Sequence, residues 1–458
     1  MGKRNNSLRD KSAFVQSLQI AINRSATQIA SIIITAMLGL ESTEILAEFS
    51  ISLSFAAILF VLVTTIQMGI QAEFGRRFAQ KNFTSLASIF SSVTIVVFML
   101  SCILAGAIWL LPNPFSNTAS YELAENAYSA LKILAFSLPL VGLLTTITFF
   151  LESIEKIKEV ARLRIAQIFI QIGLIFIVIV GKNLGFVNYE LTSKNIALAY
   201  VFSDVVMLLT GAYLLLINIK KEKLQCFVID KRILIALNSL LDVIKLGFPV
   251  MFGMIGQRFI FYLYLNFAAK LGAVQASAFA IINSYIFFCQ IPLLGLAHLM
   301  TIKISQARGE KNSSKLSDIS FKYSKLYFIE IIIIGSLFFV LQPYLLQTFT
   351  KDEQVLQSLS ALQWIACLYF LMNVALTYSM SALRGYSDTL IPQIILISLL
   401  SLGISVCYFL FSDLWNMLMV FSLSGFAAAY FLLARMFKIK RADFICSETT
   451  ESNSSKVF

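Results

Sequence analysis

Among the ionisable side chains in the long apolar runs of the sequence, four stand out as ones that we place within the depth of the membrane. Two are arginines, Arg24 and Arg258, and two are acids, Asp204 and Glu330. A lone arginine at the middle of an apolar layer costs about 2.5 to 3.5 kcal/mol, so each arginine needs an anionic partner, a water-filled space or both. Two roles are open for each acid: it carries a proton, or it forms a fixed ion pair that holds helices together.

Uncharged polar residues in the apolar runs recur at intervals of four, which places them along one face of a helix. The first run contains Gln19, Asn23, Thr27, Ser31 and Thr35, and later runs contain Gln67 with Gln71, Gln167 with Gln171, and Asn373 with Thr377 and Ser381. These stripes either line a hydrated pathway or form interhelical hydrogen bonds worth about 0.6 to 2 kcal/mol each.

The sequence lacks the residue clusters that metal or hydrolytic chemistry requires. His298 is the single histidine, and the 6 cysteines show no C-x-x-C spacing. The cysteines lie mostly within apolar runs, which is typical of reduced core residues. We therefore expect no catalytic residues, no metal site and no enzyme activity.

The composition indicates an integral membrane protein. Hydrophobic residues make up 58% of the 458 residues, charged residues 13%, and the mean hydropathy is +0.81, whereas soluble domains are about 45 to 50% apolar. About 20 apolar residues are needed for a helix to cross a bilayer. Twelve runs of that size predict an all-α fold with twelve membrane spans: 13–38, 46–72, 87–111, 124–150, 161–181, 195–217, 243–269, 275–302, 323–346, 356–383, 391–411 and 414–435.

Basic residues predict how the chain is oriented. The predicted outer loops hold only Lys182, Lys194, Lys270 and Lys351, while most of the 36 lysines and arginines fall in the predicted inner segments. Basic loops stay in the cytoplasm, so we expect both termini to be cytoplasmic in a multi-pass protein of the cell inner (plasma) membrane. The net charge of +11 is then an orientation signal with some attraction to anionic lipid, and it does not indicate nucleic-acid binding. The first run is too long for a signal peptide.

The chain resembles itself at half its length. FAQKNFTSL (78–86) aligns with RGEKNSSKL (308–316), and MLGLESTEILAEF (37–49) aligns with KLGAVQASAF (270–279). Two copies of six spans share one topology and surround a pathway between them. The predicted domains are an N-lobe over 1–217, a cytoplasmic linker over 218–242, a C-lobe over 243–435 and a largely disordered cytoplasmic tail over 436–458.

Three prolines mark places where spans are expected to bend, because each removes a backbone hydrogen bond. They are Pro139, Pro249 and Pro292. We expect the seventh span, which contains Pro249, to be a bending element, with a static kink as the alternative.

Several motifs identify a family resemblance. In order and spacing, four segments resemble the multidrug and toxic compound extrusion (MATE) transporters, which belong to the MOP flippase superfamily. The resemblance is greatest to the NorM-like branch of that family. The segments are the turn LRGYSDT (383–389) and residues 246–259, 271–278 and 292–312. The match is weaker in the first half, where LESIEKIKE (151–159) replaces a glycine-containing turn. The residues that carry it are Pro249, Leu271, Gly272, Gln306, Gly309, Arg384, Gly385 and Asp388. The resemblance implies two six-helix lobes related by pseudo-two-fold symmetry around a V-shaped central cavity.

The LRGYSDT turn predicts a structural role. We expect Gly385 to allow a tight turn, Arg384 to anchor the inner face, and Asp388 to cap the following helix, which has Pro392 in its first turn. Direct contact with a substrate is the lesser alternative.

The sequence departs from the resemblance at the acids that the family often carries. The corresponding positions in the first, seventh and tenth spans are Ser31, Gln257 and Asn373. These side chains cannot titrate, so we expect cation coupling to run through Asp204, assisted by Glu330. The expected substrate and cation cavity is formed by Arg24, Thr27, Ser31, Asp204, Gln257, Arg258, Tyr264, Glu330, Asn373 and Thr377.

The presence of Arg24 and Arg258, together with the absence of the family's acids at positions 31, 257 and 373, predicts a cavity with neutral to positive charge. Such a cavity suits anionic or zwitterionic substrates, for example a carboxylate-bearing metabolite or siderophore. Aromatic residues of the seventh span, Phe259, Phe261, Tyr262 and Tyr264, are candidates for stacking on planar substrates.

The resemblance implies efflux of small organic solutes or drugs by alternating access, as proton or sodium antiport. One alternative is a lipid-linked oligosaccharide flippase of the same superfamily, and another is a non-transporting membrane receptor or scaffold. The expected partners are a small-molecule substrate and the lipid bilayer, without nucleic acid. We expect a monomer with no cofactor besides the coupling ion.

Overall fold

The computed structural model describes residues 2–41, 43–110, 112–115, 121–183, 191–221, 237–271, 273–310, 313–349, 353–410 and 413–454. Regular structure within these ranges is entirely α-helical. The helices are α1 (Gly2–Glu41), α2 (Thr43–Ala79), α3 (Phe83–Leu110), α4 (Tyr121–Leu134), α5 (Ser137–Ser153), α6 (Ile157–Asn183), α7 (Ser193–Lys221), α8 (Leu237–Leu271), α9 (Ala273–Gly309), α10 (Ser313–Phe349), α11 (Glu353–Ala361), α12 (Gln363–Gly385), α13 (Leu390–Leu410) and α14 (Leu414–Ser454).

Eleven of the twelve predicted spans correspond to helices of the described chain that could cross a membrane. Ten of the described helices are long and apolar enough to cross a membrane, and the bent pair α4 and α5 makes an eleventh. The first predicted span, 13–38, lies within α1. The prediction of an all-α membrane protein is therefore confirmed.

The fourth predicted span is broken at a proline. The axes of α4 and α5 differ by 41°, and Pro139 is the third residue of α5. Proline cannot donate the amide hydrogen bond that would continue the helix, and the amide of Leu138 instead reaches back only three residues, to the carbonyl of Ala135 (3.1 Å). By contrast, α8 and α9 continue through Pro249 and Pro292 as single helices.

The last helix extends beyond the final predicted span. We predicted a largely disordered tail from residue 436, but α14 continues to Ser454. From Leu414 to Ser454 the chain has no proline and a single glycine, Gly425, so no residue of that stretch forces the helix to end. Most of the predicted linker, residues 222–236, lies outside the described ranges.

The described chain forms two compact units. The N unit contains Ile22–Met251, and the C unit contains Met1–Ala21 together with Phe252–Phe458. The boundaries fall inside α1 and α8. The start of α8 packs against α2 within the N unit, since the methyl carbon Cγ2 of Ile66 and the Cδ1 of Ile70 approach Gly247 closely.

The turns after α5 and α12 have the same backbone hydrogen bonds, as expected for corresponding turns of the two predicted repeats. After α5, the amide of Ile154 donates to the carbonyl of Phe150 (3.1 Å), and after α12 the amide of Tyr386 donates to Ala382 (3.3 Å). The next residue in each turn has a positive φ, 68° at Glu155 and 59° at Ser387. The turn LESIEK therefore folds like the turn LRGYSD, although it lacks the glycine.

Aromatic side chains hold the helices of each unit. In the N unit the Phe150 ring of α5 lies 4.8 Å from Phe90 of α3 and 5.7 Å from Phe74 of α2, measured between centroids. In the C unit Phe338 lies 4.7 Å from both Tyr285 and Phe370. These contacts fix the end of α5 beside α2, which positions the polar residues described below.

Candidate functional site

Asp204 is a fully buried carboxyl group in the membrane-spanning part of α7. Its residue is 1% exposed, and neither side-chain oxygen has a hydrogen-bond partner among the described residues. A buried carboxylate loses its hydration, and without direct hydrogen bonds it recovers only part of that loss from charges nearby. A group held in this way is suited to bind a proton or another cation.

Polar groups from three helices surround Asp204. Ser137 at the start of α5 and Arg164 of α6 act on its carboxyl group, and Tyr200 of α7 lies near Asp204 and Gln171. The Ser137 hydroxyl is itself buried without a hydrogen-bond partner in the described chain, and so are both amide atoms of Gln171. The cluster therefore has spare donors and acceptors that face one acid.

Arg164 is the cationic residue of this cluster, and it is absent from the site residues predicted from the sequence. Its side chain is buried, its Nη1 donates to Oε1 of Gln167 (2.7 Å), and its Nη2 donates to Oγ1 of Thr148 (3.3 Å). Arg164 lies near the end of its apolar run, where we took basic residues as orientation signals. The polar pair Gln167 and Gln171 on the same helix was the available signal.

Glu152 is a second buried acid of the N unit, and its local sequence does not indicate that it is buried. We assigned the turn after the fourth span to the cytoplasm and named Asp204 and Glu330 as the only acids at membrane depth. In the structure Glu152 belongs to the last turn of α5 and is 0% exposed. Nδ2 of Asn23 and Nε2 of Gln71 each donate to it at 3.0 Å. The turn is buried because it packs against α1 and α2, which are distant from it in the sequence.

Glu330 is a buried acid of α10 in the C unit. Its Oε2 has no hydrogen-bond partner within the described ranges, and Tyr327 lies near enough to interact with it. The hydroxyl of Tyr327 donates to the carbonyl of Val374 in α12 (3.1 Å). Asp204 and Glu330 belong to different units, so each acid must be considered with its own neighbours.

The predicted cavity residues of α8 and α12 have mixed environments. Gln257 and Thr377 are half-buried, and Arg258 is exposed. Nδ2 of Asn373 donates to the carbonyl of Tyr369 within the same helix (2.9 Å). The exposure of Arg258 leaves its charge available to solvent or to a ligand.

Tyr264 does not fit the predicted stacking role. It is fully buried, and its ring is stacked on Phe421 with centroids 4.0 Å apart. Phe261 is likewise stacked on Phe279 at 5.4 Å. Helix packing therefore occupies these two rings, whereas Phe259 is 60% exposed.

The α1 residues are described in part. Ser31 is half-buried and has a polar or electrostatic contact. The side chains of Arg24, Thr27 and Tyr262 lie outside the described part of the chain, as does Gly272.

Two motif residues form hydrogen bonds near the ends of α9 and α12 in the C unit. Lys303 donates to Oε1 of Gln306 (3.1 Å), and Nη2 of Arg384 donates to Oγ of Ser381 (3.1 Å). The remaining motif positions are a buried Gly309, a half-buried Leu271 and a half-buried Pro249.

Two expectations for the LRGYSDT turn are corrected. The left-handed residue is Ser387, not Gly385. Glycine is needed at 385 because an added Cβ would lie 2.9 Å from the Cβ of Ile304. The carboxylate of Asp388 binds Arg435 of α14 instead of capping α13, with Nε–Oδ2 at 2.5 Å and Nη2–Oδ1 at 3.3 Å.

A groove of about 560 Å³ lies between α6 and α7. Its lining is mostly apolar and includes Leu174, Ile177, Leu198 and Phe202. Because these side chains face outward from the N unit, the groove is suited to lipid chains and holds none of the predicted site residues.

Comparisons with known proteins agree with this architecture. A family model described as MatE matches residues 20–177 and 249–409. A probable multidrug resistance protein NorM from Idiomarina loihiensis is 25% identical over 170 residues, which is 37% of each chain. A protein of the same description from Streptococcus pneumoniae is 22% identical over 378 residues, 81% of this chain and 82% of that relative.

Solved structures show the same fold. A multidrug resistance MATE family transporter of the MOP superfamily, in an outward-facing conformation, has a TM-score of 0.79 at 17% identity and covers 94% of this chain and 96% of its own. A MOP superfamily transporter from Pyrococcus furiosus, described as having a binding pocket of reverse polarity, gives 0.79 at 18% identity with the same coverage. The predicted twelve-helix fold is thus confirmed.

Proposed function

Because the chain belongs to the MatE family, whose members are transporters and not enzymes, we propose that it exports small organic solutes by alternating access, driven by the entry of a cation. The relatives described as probable multidrug resistance proteins support efflux. The buried acids Asp204 and Glu330 support a cation as the ion that drives export, because a carboxyl group can bind one. The multi-pass chain is a membrane transporter by family and fold.

The coupling cation binds at Asp204 in this proposal. The observation that carries it is the burial of Asp204 with both carboxyl oxygens unpartnered among the described residues. A carboxyl group changes charge when it takes up a proton, whereas Ser31, Gln257 and Asn373 do not. Asp204 is therefore the residue of the N unit that is best placed to respond to a proton or sodium gradient.

Arg164 gives the cluster a second state. When Asp204 is charged, the Arg164 guanidinium attracts it. When Asp204 takes up a cation, this attraction weakens and the bonds of Arg164 to Gln167 and Thr148 remain. A loss of attraction between Arg164 and Asp204 on cation binding would favour a different arrangement of the helices that carry them, which links cation binding to a conformational step.

The substrate is anionic or zwitterionic in this proposal. The support comes from α8 and α12, where Arg258 is exposed and Gln257 and Asn373 are uncharged. Neutral side chains at positions 257 and 373 attract lipophilic cations less strongly than acids there would, and an exposed guanidinium favours carboxylates. The Pyrococcus furiosus protein of the same fold is described as having a reversed pocket polarity that suggests a different function, and this description is consistent with the proposed substrate class.

The cellular setting of the proposal follows from charge. Both ends of the chain face the cytoplasm, the protein lies in the cell inner (plasma) membrane, and it works as a monomer with its substrate, the lipid bilayer and a coupling ion. Glu330 assists coupling from the C unit, where its Oε2 is unpartnered among the described residues.

The coupling role is tested with purified protein in proteoliposomes. Uptake of radiolabelled citrate and of tetraphenylphosphonium is measured with and without an imposed pH or sodium gradient. We expect Asp204→Asn to lose at least about 90% of gradient-driven uptake, because the amide cannot titrate. Asp413→Asn, at an exposed acid that bonds Asn416, is the matched control and should behave like the wild type. Unchanged gradient-driven uptake in Asp204→Asn would refute the assignment.

The substrate class is tested in the same vesicles. We expect citrate to be transported in preference to tetraphenylphosphonium, and Arg258→Gln to reduce citrate uptake about tenfold. A clear preference of the wild type for the lipophilic cation contradicts the proposed substrate class and leaves the coupling result standing.

A further inference from the structure

The groove between α6 and α7 is open along its length. Ile177, Leu198 and Phe202 line it, and each of these residues is more than half exposed. No helix of the described chain therefore covers the groove. Both helices are long and apolar enough to cross a membrane, so the groove lies against lipid. Apolar side chains at this depth gain close contacts only from another apolar chain.

The residue at one end of the groove is a lysine. Lys194 is the second residue of α7, and Leu198 and Phe202 follow it at intervals of four, which places the three side chains along one face of the helix. Lys194 is exposed and forms no ion pair with any residue in the described ranges. The amide groups of the first helical turn add a partial positive charge beside it. This end of the groove is therefore positive.

Polarity is concentrated at the same end. The residues that line the groove in the described chain are apolar except Asn195, which directly follows Lys194. The apolar part extends from there towards Phe202. A ligand that matches this distribution has a charged or polar head at Lys194 and an apolar chain along α7.

The end of α6 leaves room for such a ligand. Gly181 lies four residues after Ile177 and three after Val178, so it is on the face of α6 that lines the groove. A Cβ added at Gly181 would have no atom within 4 Å in the described part of the chain. Because α7 returns across the membrane after α6, Gly181 lies at the same end of the groove as Lys194. The absence of a side chain at this position keeps that end open.

The length of the groove matches one leaflet of a bilayer. Lys194 and Phe202 are eight residues apart, which is about 12 Å at 1.5 Å per residue. The hydrocarbon core of a membrane is about 30 Å thick, or about 15 Å per leaflet. A lipid with its head at Lys194 can thus place most of one acyl chain in the groove without leaving its leaflet.

We propose that the groove between α6 and α7 binds one anionic phospholipid, with its phosphate at Lys194 and an acyl chain against Leu198 and Phe202. An anionic headgroup is favoured over a zwitterionic one because a lysine near the membrane surface attracts net negative charge. A second copy of this chain is a poorer occupant, because its own helix would have to cover a lysine at the edge of the membrane.

This site is separate from the coupling cluster. Asp204 and Tyr200 are buried on the inner side of α7, whereas Leu198 and Phe202 are exposed on the outer side. Lipid binding in the groove does not depend on the proposed function. Only its assignment to the outer leaflet rests on the orientation given there.

Quenching of tryptophan fluorescence by brominated phospholipids tests the site. The three native tryptophans are replaced by phenylalanine, and Leu198→Trp places one fluorophore in the groove. The full-length protein is reconstituted in phosphatidylcholine with added brominated phosphatidylglycerol or brominated phosphatidylcholine. The concentration dependence of quenching gives the relative binding constants of the two lipids at this position.

The headgroup preference should depend on Lys194. We expect phosphatidylglycerol to bind at least about threefold more tightly than phosphatidylcholine at the Leu198→Trp reporter, and Lys194→Gln to bring the two constants close together. Lys81→Gln, at an exposed lysine in another turn, is the matched control and should keep the preference. A second reporter, Phe409→Trp, lies at an exposed position near the end of α13 and should show about equal constants.

The position of the acyl chain is tested by filling the groove. Gly181→Phe should reduce quenching of the Leu198→Trp reporter by both lipids, because the ring occupies the open end. Gly106→Phe, at a glycine of α3 that also has no atom within 4 Å of an added Cβ among the described residues, is the matched control and should leave quenching unchanged. Size-exclusion chromatography establishes that each variant is folded.

Three results overturn the proposal. Equal constants for the two lipids at the Leu198→Trp reporter, or a preference that Lys194→Gln leaves unchanged, remove the anionic headgroup from Lys194. Quenching that Gly181→Phe does not reduce removes the acyl chain from the groove. The absence of quenching by either lipid shows that another protein surface, such as a second copy of the chain, covers the groove.

Discussion

Gly69 of α2 is in direct contact with the backbone of Leu246 in α8. A Cβ added at Gly69 would overlap the carbonyl oxygen of Leu246 and lie 3.0 Å from the Cα of Gly247. Glycine at this position lets the two helices approach until their backbones touch, as small residues do in membrane helix pairs. The contact holds the first part of α8 within the N unit.

Gly69→Ala is expected to disrupt this contact. The methyl group must push α2 and α8 apart, and overpacking of this kind costs about 1 to 3 kcal/mol. Thermal unfolding of the detergent-solubilised protein should show a lower midpoint. Gly173→Ala is the matched control, because an added Cβ at Gly173 has no atom within 4 Å among the described residues. A midpoint for Gly69→Ala at or above that of the control contradicts the prediction.

The pair Asp388 and Arg435 joins the turn after α12 to α14 by two hydrogen bonds. Because both side chains are partly exposed, we expect the interaction to contribute only about 1 kcal/mol. A double-mutant cycle with Asp388→Asn and Arg435→Gln measures it from unfolding midpoints. Strictly additive effects of the two changes would show that the pair contributes no net stability.

Arg164→Met is expected to destabilise the N unit. It leaves Thr148 and Gln167 without their donor and Asp204 without its nearby positive charge, and the loss of one partner in a buried charged network costs about 3 to 5 kcal/mol. In the Asp204→Asn background the same substitution should cost at least about 1 kcal/mol less, because the buried negative charge is already gone. Equal costs in the two backgrounds would show that Arg164 and Asp204 do not interact.

The predicted orientation is testable with single cysteines. Lys81 lies in the turn between α2 and α3, Lys194 lies at the start of α7, and both are exposed. In a variant without the native cysteines, a membrane-impermeant maleimide added to intact cells should label Lys194→Cys but not Lys81→Cys. Labelling in inside-out vesicles should show the reverse. The opposite pattern would place the termini outside, against the distribution of basic residues.

The sequence alone determined the helical membrane fold and the span positions. Apolar runs of about 20 residues are a local property, because a helix in lipid must satisfy its backbone hydrogen bonds within its own segment. The interval of four between Gln67 and Gln71 likewise placed both side chains on one face, since it depends only on helix geometry. Asp204 was identifiable for the same reason, as an acid in the middle of an apolar run.

Only the tertiary structure decided which polar groups meet. Glu152 lies in a turn-like segment, and its burial depends on Asn23, 129 residues away, and Gln71, 81 residues away. Asp388 binds Arg435 of α14 instead of its own helix, and Tyr264 is covered by Phe421. Local sequence contains no information about such partners, because they are brought together by the packing of separate helices. For this protein, local sequence therefore predicted the membrane helices. The packing of those helices determined which acids are buried and which polar side chains contact them.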